Sequence, residues 1–302
     1  MSGRSLNILI IGGSGFVSGT LARVARDAGN RVWTITRGEK PIPEGVHSLI
    51  ADRKDHAAFA AAIEGAGAHW DLAVDCIGYQ PEDARQDVEV LSPRVSHLVF
   101  ISTDFVFDPR KRAFPQPCSN PHFLTGEGYG PGKRACEEVL LASDTQMRWT
   151  VLRPCHIYGP GSQLGCLPEH GRDAKLIERM RAGEPLRLVG GGHFLQQPIF
   201  ARDLAELALS ARWSELAHRG IYCAAGPDII ESVRYYEIIA DILEVKLRVE
   251  EVPVAETRER HPEWASFLCH RIYDLTPLRL AGLKVPNTPI GEGLTEHVVS
   301  LI

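Results

Sequence analysis

Tyr129 and Lys133 stand four residues apart in Tyr129-Gly130-Pro131-Gly132-Lys133. On a helix, positions i and i+4 share a face. An ammonium beside a phenol favours the phenolate and draws its pKa down toward neutrality. Such a tyrosine passes a proton to or from a carbonyl or alcohol oxygen. Pro131 fits only the first turn of a helix, which puts Tyr129 at or just before the helix start. Upstream, HLVFIST reads as a strand that ends at Ser102-Thr103. The C-terminal end of a parallel strand faces the ligand crevice, so Thr103 is placed to hold a reacting oxygen next to Tyr129.

A proton relay of this kind needs a partner for the electrons. Gly12-Gly13-Ser14-Gly15-Phe16-Val17-Ser18-Gly19 follows the apolar run Leu6–Ile11 and opens a segment with Val17, Leu21, Val24 and Ala28 on one face. Gly12 allows a sharp turn, Gly15 lets amides approach a pyrophosphate, and the helix N-terminus adds donors and a positive dipole end. A glycine fingerprint alone is weak, but here the strand, turn and helix it requires are all present. Gly12, Gly13, Ser14, Gly15, Phe16 and Val17 are the expected contacts of a dinucleotide. Ser18 stands where a third glycine is usual, and Gly19 lies one place on. A nicotinamide would exchange the hydride while Tyr129 moves the proton.

The second strand ends Thr36-Arg37-Gly38. A carboxylate there would bind a ribose 2′-hydroxyl; an arginine fork suits a 2′-phosphate instead. Arg37 therefore favours NADP over NAD, the other reading being a solvent-exposed cation. Asp52, at the end of the third strand, either accepts from the adenine amine or caps the following helix. Asp75-Cys76-Ile77-Gly78-Tyr79 ends the fourth strand, near the expected nicotinamide ribose; Gly78 fits close approach of backbone, and Tyr79 fits a cleft wall.

The elements that must position these groups alternate. LNILII, RVWTIT, VHSLIA, WDLAVDCIG, HLVFIST and WTVLRP are apolar runs separated by helical segments, among them Asp55–Glu64 and RACEEVLLAS. Strands buried on both faces and joined by helices imply parallel pairing. The fold class is α/β, a Rossmann doubly wound parallel sheet with a smaller C-terminal substrate-binding domain. Residues 1–159, joined by 197–224, would form the dinucleotide-binding domain, and 160–196 with 225–302 the second. A helix is expected over Asp173–Ala182, and Ala265–Cys269 is a candidate cleft lining. The Pro-rich stretch 108–128 reads as a long loop of the kind that serves as a lid or linker.

Composition sets the outer bounds. The chain has 302 residues, 44% hydrophobic and 24% charged, which excludes a disordered chain. A net charge of −5 without a basic block argues against nucleic acid as a partner. Seven cysteines without a CxxC argue against a disulfide framework and a thiolate metal site, so no metal is expected. No apolar stretch approaches the roughly 18 residues of a membrane span, and the apolar run after MSGRS is too short for a leader; a cytoplasmic protein is expected.

Taken together, GGSGFVSG, ISTDFVFD, YGPGK, LRPCHIYGPG (152–161) and PIFARDLA (198–205) give a chain that resembles the extended short-chain dehydrogenase/reductase family, with its NAD(P)-dependent sugar-nucleotide epimerases, dehydratases and reductases. The resemblance implies Thr103, Tyr129 and Lys133 as the catalytic trio. It implies further cofactor contacts at Ser102, Pro154 and His156, a small-molecule substrate between the domains, and a homodimer. In the dehydratases the strand-end Thr precedes Asp and Glu; here Asp104 and Phe105 follow, so elimination is not expected. ISTDFVFD is instead similar to the strand end of dTDP-4-dehydrorhamnose reductase. Asp104 is then a turn carboxylate or a substrate contact. His156 replaces the family's Asn, as a substrate contact, an acid/base or part of the cleft wall. Gln196 and Gln197 stand where the family places an Arg for the substrate diphosphate. The expected substrate contacts are Tyr79, Asp104, His156 and Gln197. Thr36-Arg37-Gly38 and the Gly78-Tyr79 stretch also resemble chloroplast stem-loop RNA-binding proteins, which keep the fold without a dependable trio.

Overall fold

The computed structural model describes residues 4–302; Met1–Gly3, the start of both the expected first domain and the stretch judged too short for a leader, lie outside the described residues. The first half runs β1 (Asn7–Ile11), α1 (Phe16–Asp27), β2 (Arg31–Thr36), β3 (His47–Ile50), α2 (His56–Gly65), β4 (Leu72–Asp75), α3 (Pro81–Leu91), β5 (His97–Ile101), α4 (Tyr129–Ala142) and β6 (Arg148–Pro154). There follow β7 (Ile157–Tyr158), α5 (Leu176–Arg181), β8 (Leu186–Val189), β9 (Leu195–Gln196), β10 (Ile199–Phe200), α6 (Ala201–Ser210) and β11 (Gly220–Ala224). The chain ends with β12 (Ile230–Glu231), α7 (Ser232–Leu243), β13 (Val249–Val252), α8 (Val254–Arg260), α9 (Thr276–Leu280) and α10 (Ile290–Val299).

Seven strands form one sheet in the order β11-β6-β5-β4-β1-β2-β3, and every pairing in it is parallel. Side chains of a strand alternate between faces. Ile8 and Ile10 accordingly enter one apolar cluster with Leu21, Ala22 and Ala25 of α1 and Leu204 and Leu207 of α6. Leu9 and Ile11 enter the opposite one with Phe59 of α2, Leu91 of α3 and Leu140 of α4. Both faces are covered, which is why the strands read as continuous apolar runs.

A separate cluster joins Tyr158, Leu167, Leu188, Tyr235, Ile239 and Leu294. Tyr273, Leu275, Leu278 and Leu283 belong instead to the cluster of β1 and α1. That stretch, grouped by the sequence reading with the second domain, packs on the sheet.

Local differences have local causes. The helix expected from Asp173 begins at Leu176, because the Asp173 carboxylate turns the chain by accepting from the amide of Lys175 at 2.8 Å and sits 3.0 Å from the ring of His170. Asp55, not Asp52, caps α2 by accepting from the amide of Ala58. The 108–128 stretch is a strap rather than a lid or linker. The Gln116 amide donates to the Ile272 carbonyl at 2.7 Å, the Asp274 amide to the Gln116 carbonyl, and Arg153 Nη1 to the Cys118 carbonyl.

Candidate active site

A cleft of about 500 Å³ opens at the C-terminal ends of the strands. Tyr129 is the first residue of α4, as Pro131 requires, and Lys133 sits one turn on; both line the cleft with Thr103. Gly130 shows how the helix reaches this position: a Cβ there would lie 2.1 Å from the carbonyl oxygen of Phe105, so only glycine lets α4 dock against the end of β5. Thr103 also anchors its own turn, its hydroxyl accepting from the amide of Phe105 at 3.2 Å.

Lys133 is almost fully buried, and its Nζ donates to the carbonyl of Ile101 at 2.7 Å with the rings of Tyr79 and Phe100 each 4.8 Å away. Burial lowers its pKa, against the pull of Asp75. The expected lowering of the Tyr129 phenol is not found. Although the residue is half exposed, desolvation of its hydroxyl in the cleft pushes it up to about 12, offset in part by the hydroxyl of Thr103; Tyr79 and Asp104 raise it further. The Lys133 ammonium donates to a backbone carbonyl rather than to the phenol.

The groove beside β1 fits a dinucleotide. Gly13 has φ +135°, and a Cβ there would meet the Thr34 side chain at 2.4 Å. The loop therefore lies flat on β2, and the first-turn amides of α1 have no partner within the helix. Gly15, Phe16, Val17, Cys76 and Ile77 line the main cleft; Gly13 and Ser14 border a second hollow of about 280 Å³, with Gly12 behind them on β1's end. The turn after β4 is held by the buried carboxylate of Asp75, which accepts from the amides of Ile77 at 2.7 Å and Gly78 at 2.9 Å. Arg53 supports Asp75 at 2.9 Å and also binds Asp87. Burial raises the Asp75 carboxyl, but Arg53 beside it outweighs this and holds it below its ordinary value, while burial and Asp75 push Asp87 up.

Arg37 is exposed at the end of β2 and paired with Glu39 at 2.8 Å. Asp52 accepts from the amide of Lys54 at 2.9 Å, a turn contact that replaces the helix cap considered for it. Pro154 and Ser102 line the cleft, but the Ser102 hydroxyl is committed to Glu137 at 2.6 Å.

The substrate side departs most from expectation. Asp104 lines the cleft, but as a paired carboxylate and not as a turn carboxylate. It is buried: Oδ2 takes Arg271 Nε at 2.8 Å together with the Tyr273 hydroxyl and Arg112, and Oδ1 takes Arg271 Nη2 at 3.0 Å. Burial raises its carboxyl, yet Arg271 and Arg112 hold it below the usual carboxylate range. Gln197, by contrast, is not among the residues that line the cleft: its amide donates to the Gly226 carbonyl and accepts from the amide of Tyr273, both at 2.9 Å. Gln196 is likewise buried and bonded to Ser232 at 2.5 Å. Tyr79 and His156 do line the cleft. His156 packs edge-on to Tyr235 at 5.8 Å, and burial, with Arg271 and Arg172 nearby, lowers its pKa to about 3, so the ring is neutral.

A model of the NAD dependent epimerase/dehydratase family matches residues 8–222. The chain belongs to this family. Its cofactor is a nicotinamide dinucleotide. Among curated proteins it is similar to the chloroplast stem-loop binding protein of 41 kDa b of Arabidopsis thaliana, 25% identical over 72% of this chain and 58% of that one. It is also similar to the 2-alkyl-3-oxoalkanoate reductase of Stenotrophomonas maltophilia (strain K279a), 28% identical over 62% of this chain and 59% of that one. The chain therefore spans under two thirds of the length of these relatives. Among solved structures, the UDP-N-acetylglucosamine 4-epimerase of Methanobrevibacter ruminantium M1 shares the fold, with a TM-score of 0.80, 18% identity and coverage of 99% of this chain and 98% of that one.

Against this family background, Arg172, Arg271 and Phe267 are cleft residues that the motifs did not single out. Phe267 lies within the 265–269 stretch proposed as lining. Arg271 is two residues from Tyr273 in a segment with no recognisable pattern, and Arg172 sits in the irregular loop before α5. No spacing rule marks either. Among the described residues no helix is long and apolar enough to cross a membrane.

Proposed function

We propose that the chain is a cytoplasmic NAD(P)-dependent oxidoreductase or epimerase acting on a sugar or sugar nucleotide through a keto intermediate or product. The observation that carries this reading is the convergence of Thr103, Tyr129 and Lys133 on one cleft with the glycine loop and the turn after β4. Gly12 to Val17 would hold the pyrophosphate, Cys76 to Gly78 the nicotinamide ribose, and Arg37 a 2′-phosphate. The bound cofactor supplies or accepts the hydride. Tyr129 delivers a proton to the carbonyl oxygen or takes it from the alcohol, Thr103 holds that oxygen, and Lys133 orients the ribose and donates positive charge behind the phenol. Dehydration is not part of the reading, because Asp104 is spent on Arg271 and Phe105 stands where an elimination base would be. The substrate would lie against residues of 160–196 and 225–302, and the cofactor on 1–159 with 197–224.

One observation favours a second reading, an NADPH-dependent carbonyl reductase with a non-nucleotide substrate. Gln196 and Gln197 are both buried and hydrogen-bonded within the protein, so neither is available to a diphosphate.

The test is to denature protein purified without added cofactor and identify the released nucleotide by mass spectrometry. Retained NAD or NADP supports an internal redox cycle and hence an epimerase. An empty protein that binds NADPH supports a reductase. Binding of neither sinks both readings and leaves a catalytically silent scaffold. Tyr129→Phe should keep cofactor affinity and lose on the order of 10²–10⁴ in turnover.

A further inference from the structure

Two of the seven cysteines meet outside the cleft. Cys118 lies in the 108–128 strap and Cys223 in β11, 105 residues further along the chain. The sulfur of Cys118 accepts from the backbone amide of Cys223 at 2.6 Å. That nitrogen is two bonds from the Cβ that carries the Cys223 sulfur, so the two thiols are neighbours. Each shifts the ionisation of the other. Cys223 belongs to the apolar cluster of β1, α1 and α6, and Cys118 packs against that cluster.

The two thiols are unlike in a way that suits stepwise oxidation. Cys118 is half-buried, whereas Cys223 is only 1% exposed. A hydrogen bond from the Cys223 thiol holds the Cys118 thiol below its ordinary value; burial opposes this, and the Cys223 amide and the Arg153 guanidinium assist it. Arg153 is fixed in place, its Nη1 donating to the Cys118 carbonyl at 3.0 Å and its Nη2 to Glu137 at 2.6 Å. Burial, and then Cys118, push the Cys223 thiol well up. Burial also pushes up Cys76, Cys136, Cys155, Cys166 and Cys269. The thiolate is the nucleophile, so Cys118 is the reactive sulfur of the seven.

A covalent bond at this place would act on the strap. The strap carries Arg112, whose Nη2 donates to the Asp104 carbonyl at 2.8 Å and whose Nη1 donates to the Tyr273 hydroxyl at 3.0 Å. Cys118 lies where the same strap crosses to the edge of the sheet. A bond from Cys118 to Cys223 would fasten to β11 a segment otherwise held by hydrogen bonds and packing.

We propose that Cys118 and Cys223 are a reversible redox clasp: hydrogen peroxide oxidises Cys118, and Cys223 converts the product into a disulfide that fastens the strap to β11. In the first step the Cys118 thiolate attacks one peroxide oxygen, the O–O bond breaks, and the departing oxygen leaves as water, giving a sulfenic acid. In the second the Cys223 sulfur attacks that of Cys118, the S–S bond forms, the S–O bond breaks, and the Cys223 proton leaves with the oxygen as a second water. Two thiols lose two electrons and one peroxide gains them. A dithiol reverses the bond by exchange.

The experiment exposes reduced protein to hydrogen peroxide at neutral pH, quenches it in acid, alkylates with N-ethylmaleimide and maps the products by mass spectrometry. The expected result is one linked peptide joining Cys118 to Cys223, with the other five thiols alkylated. Cys118→Ser should slow peroxide consumption tenfold or more and leave Cys223 a thiol. Cys223→Ser should stop at a Cys118 sulfenic acid, trapped with dimedone. The oxidised protein should melt about 5 °C above the reduced form, because the bond closes a long loop in the unfolded chain. Dithiothreitol should restore the reduced mass and melting temperature. A linked peptide joining any other pair overturns the proposal, as does even oxidation of all seven thiols or an oxidised protein that melts no higher than the reduced one. The linkage map needs only the unaltered protein, so it decides the matter even where a variant fails to fold.

Discussion

Asp104 and Arg271 are 167 residues apart in the chain and meet through two parallel hydrogen bonds at 2.8 and 3.0 Å. The pair ties the turn after β5 to the segment before α9. Removing one partner of a buried ion pair leaves the other charge uncompensated, a loss of about 3–5 kcal/mol. Asp104→Asn should therefore lower the melting temperature by on the order of 10 °C in scanning calorimetry. A change within experimental scatter would mean that Arg112 and Tyr273 hold the segment without the charge.

The Tyr129 phenol, pushed up to about 12, is protonated at neutral pH. It is ready as an acid and scarce as a base. Carbonyl reduction should be level between pH 6 and 9, while the reverse oxidation should rise roughly tenfold per unit over the same range. Steady-state kcat/KM profiles in both directions check this. An oxidation profile that saturates near pH 7 would show that the phenol titrates there in the working complex.

Arg37 is exposed and held only by Glu39 on the surface, so its removal should be harmless to folding. Arg37→Gln should weaken NADPH binding tenfold or more and leave NADH unchanged, as measured by fluorescence titration. Equal effects on both, or on neither, would remove the basis for an NADP preference.

His97 is buried in β5 with its pKa lowered to about 3, chiefly by burial and then by Arg148. The Thr150 hydroxyl donates to the Ala217 carbonyl, so His97 Nε2 must be the donor to that hydroxyl at 2.8 Å, and Nδ1 is left without a proton or a partner. The unfolded ring titrates near 6.5. Below that value the unfolded chain takes up a proton that the folded protein refuses. Stability should fall as pH drops from about 6.5 toward 3, by about 2 kcal/mol at pH 5 from this residue alone. Urea unfolding of the unaltered protein and His97→Gln at pH 7 and pH 5 separates this contribution; parallel losses in both would exclude it.

The sheet and the placement of Tyr129, Lys133 and Thr103 were legible because each rests on a local rule: alternating apolar runs, a proline confined to a first helical turn, a hydroxyl at a strand end. Asp104 and Gln197 were misread for a common reason. Each takes partners from residues 226–273, to which Asp104 adds Arg112, and no local pattern announces a contact over the longer separations. The phenol's shift was missed because the i to i+4 spacing places Lys133 on the right face without saying where its ammonium points. Arg271 and Arg172 escaped notice because no local spacing marks either as a residue of the cleft.

One edge strand of the parallel sheet, β11, comes from residues 220–224 and pairs with β6 at residues 150–154. During synthesis on the ribosome, β6 is finished long before its neighbour exists. At roughly 5–20 residues per second, the interval needed to make residues 155–219 lasts about several seconds. Throughout it the nascent chain presents an apolar, unpaired edge, Trp149-Thr150-Val151-Leu152, of the kind that invites association with other chains. Production of this protein should accordingly be limited by chaperone supply and by growth temperature more than by the stability of the finished fold.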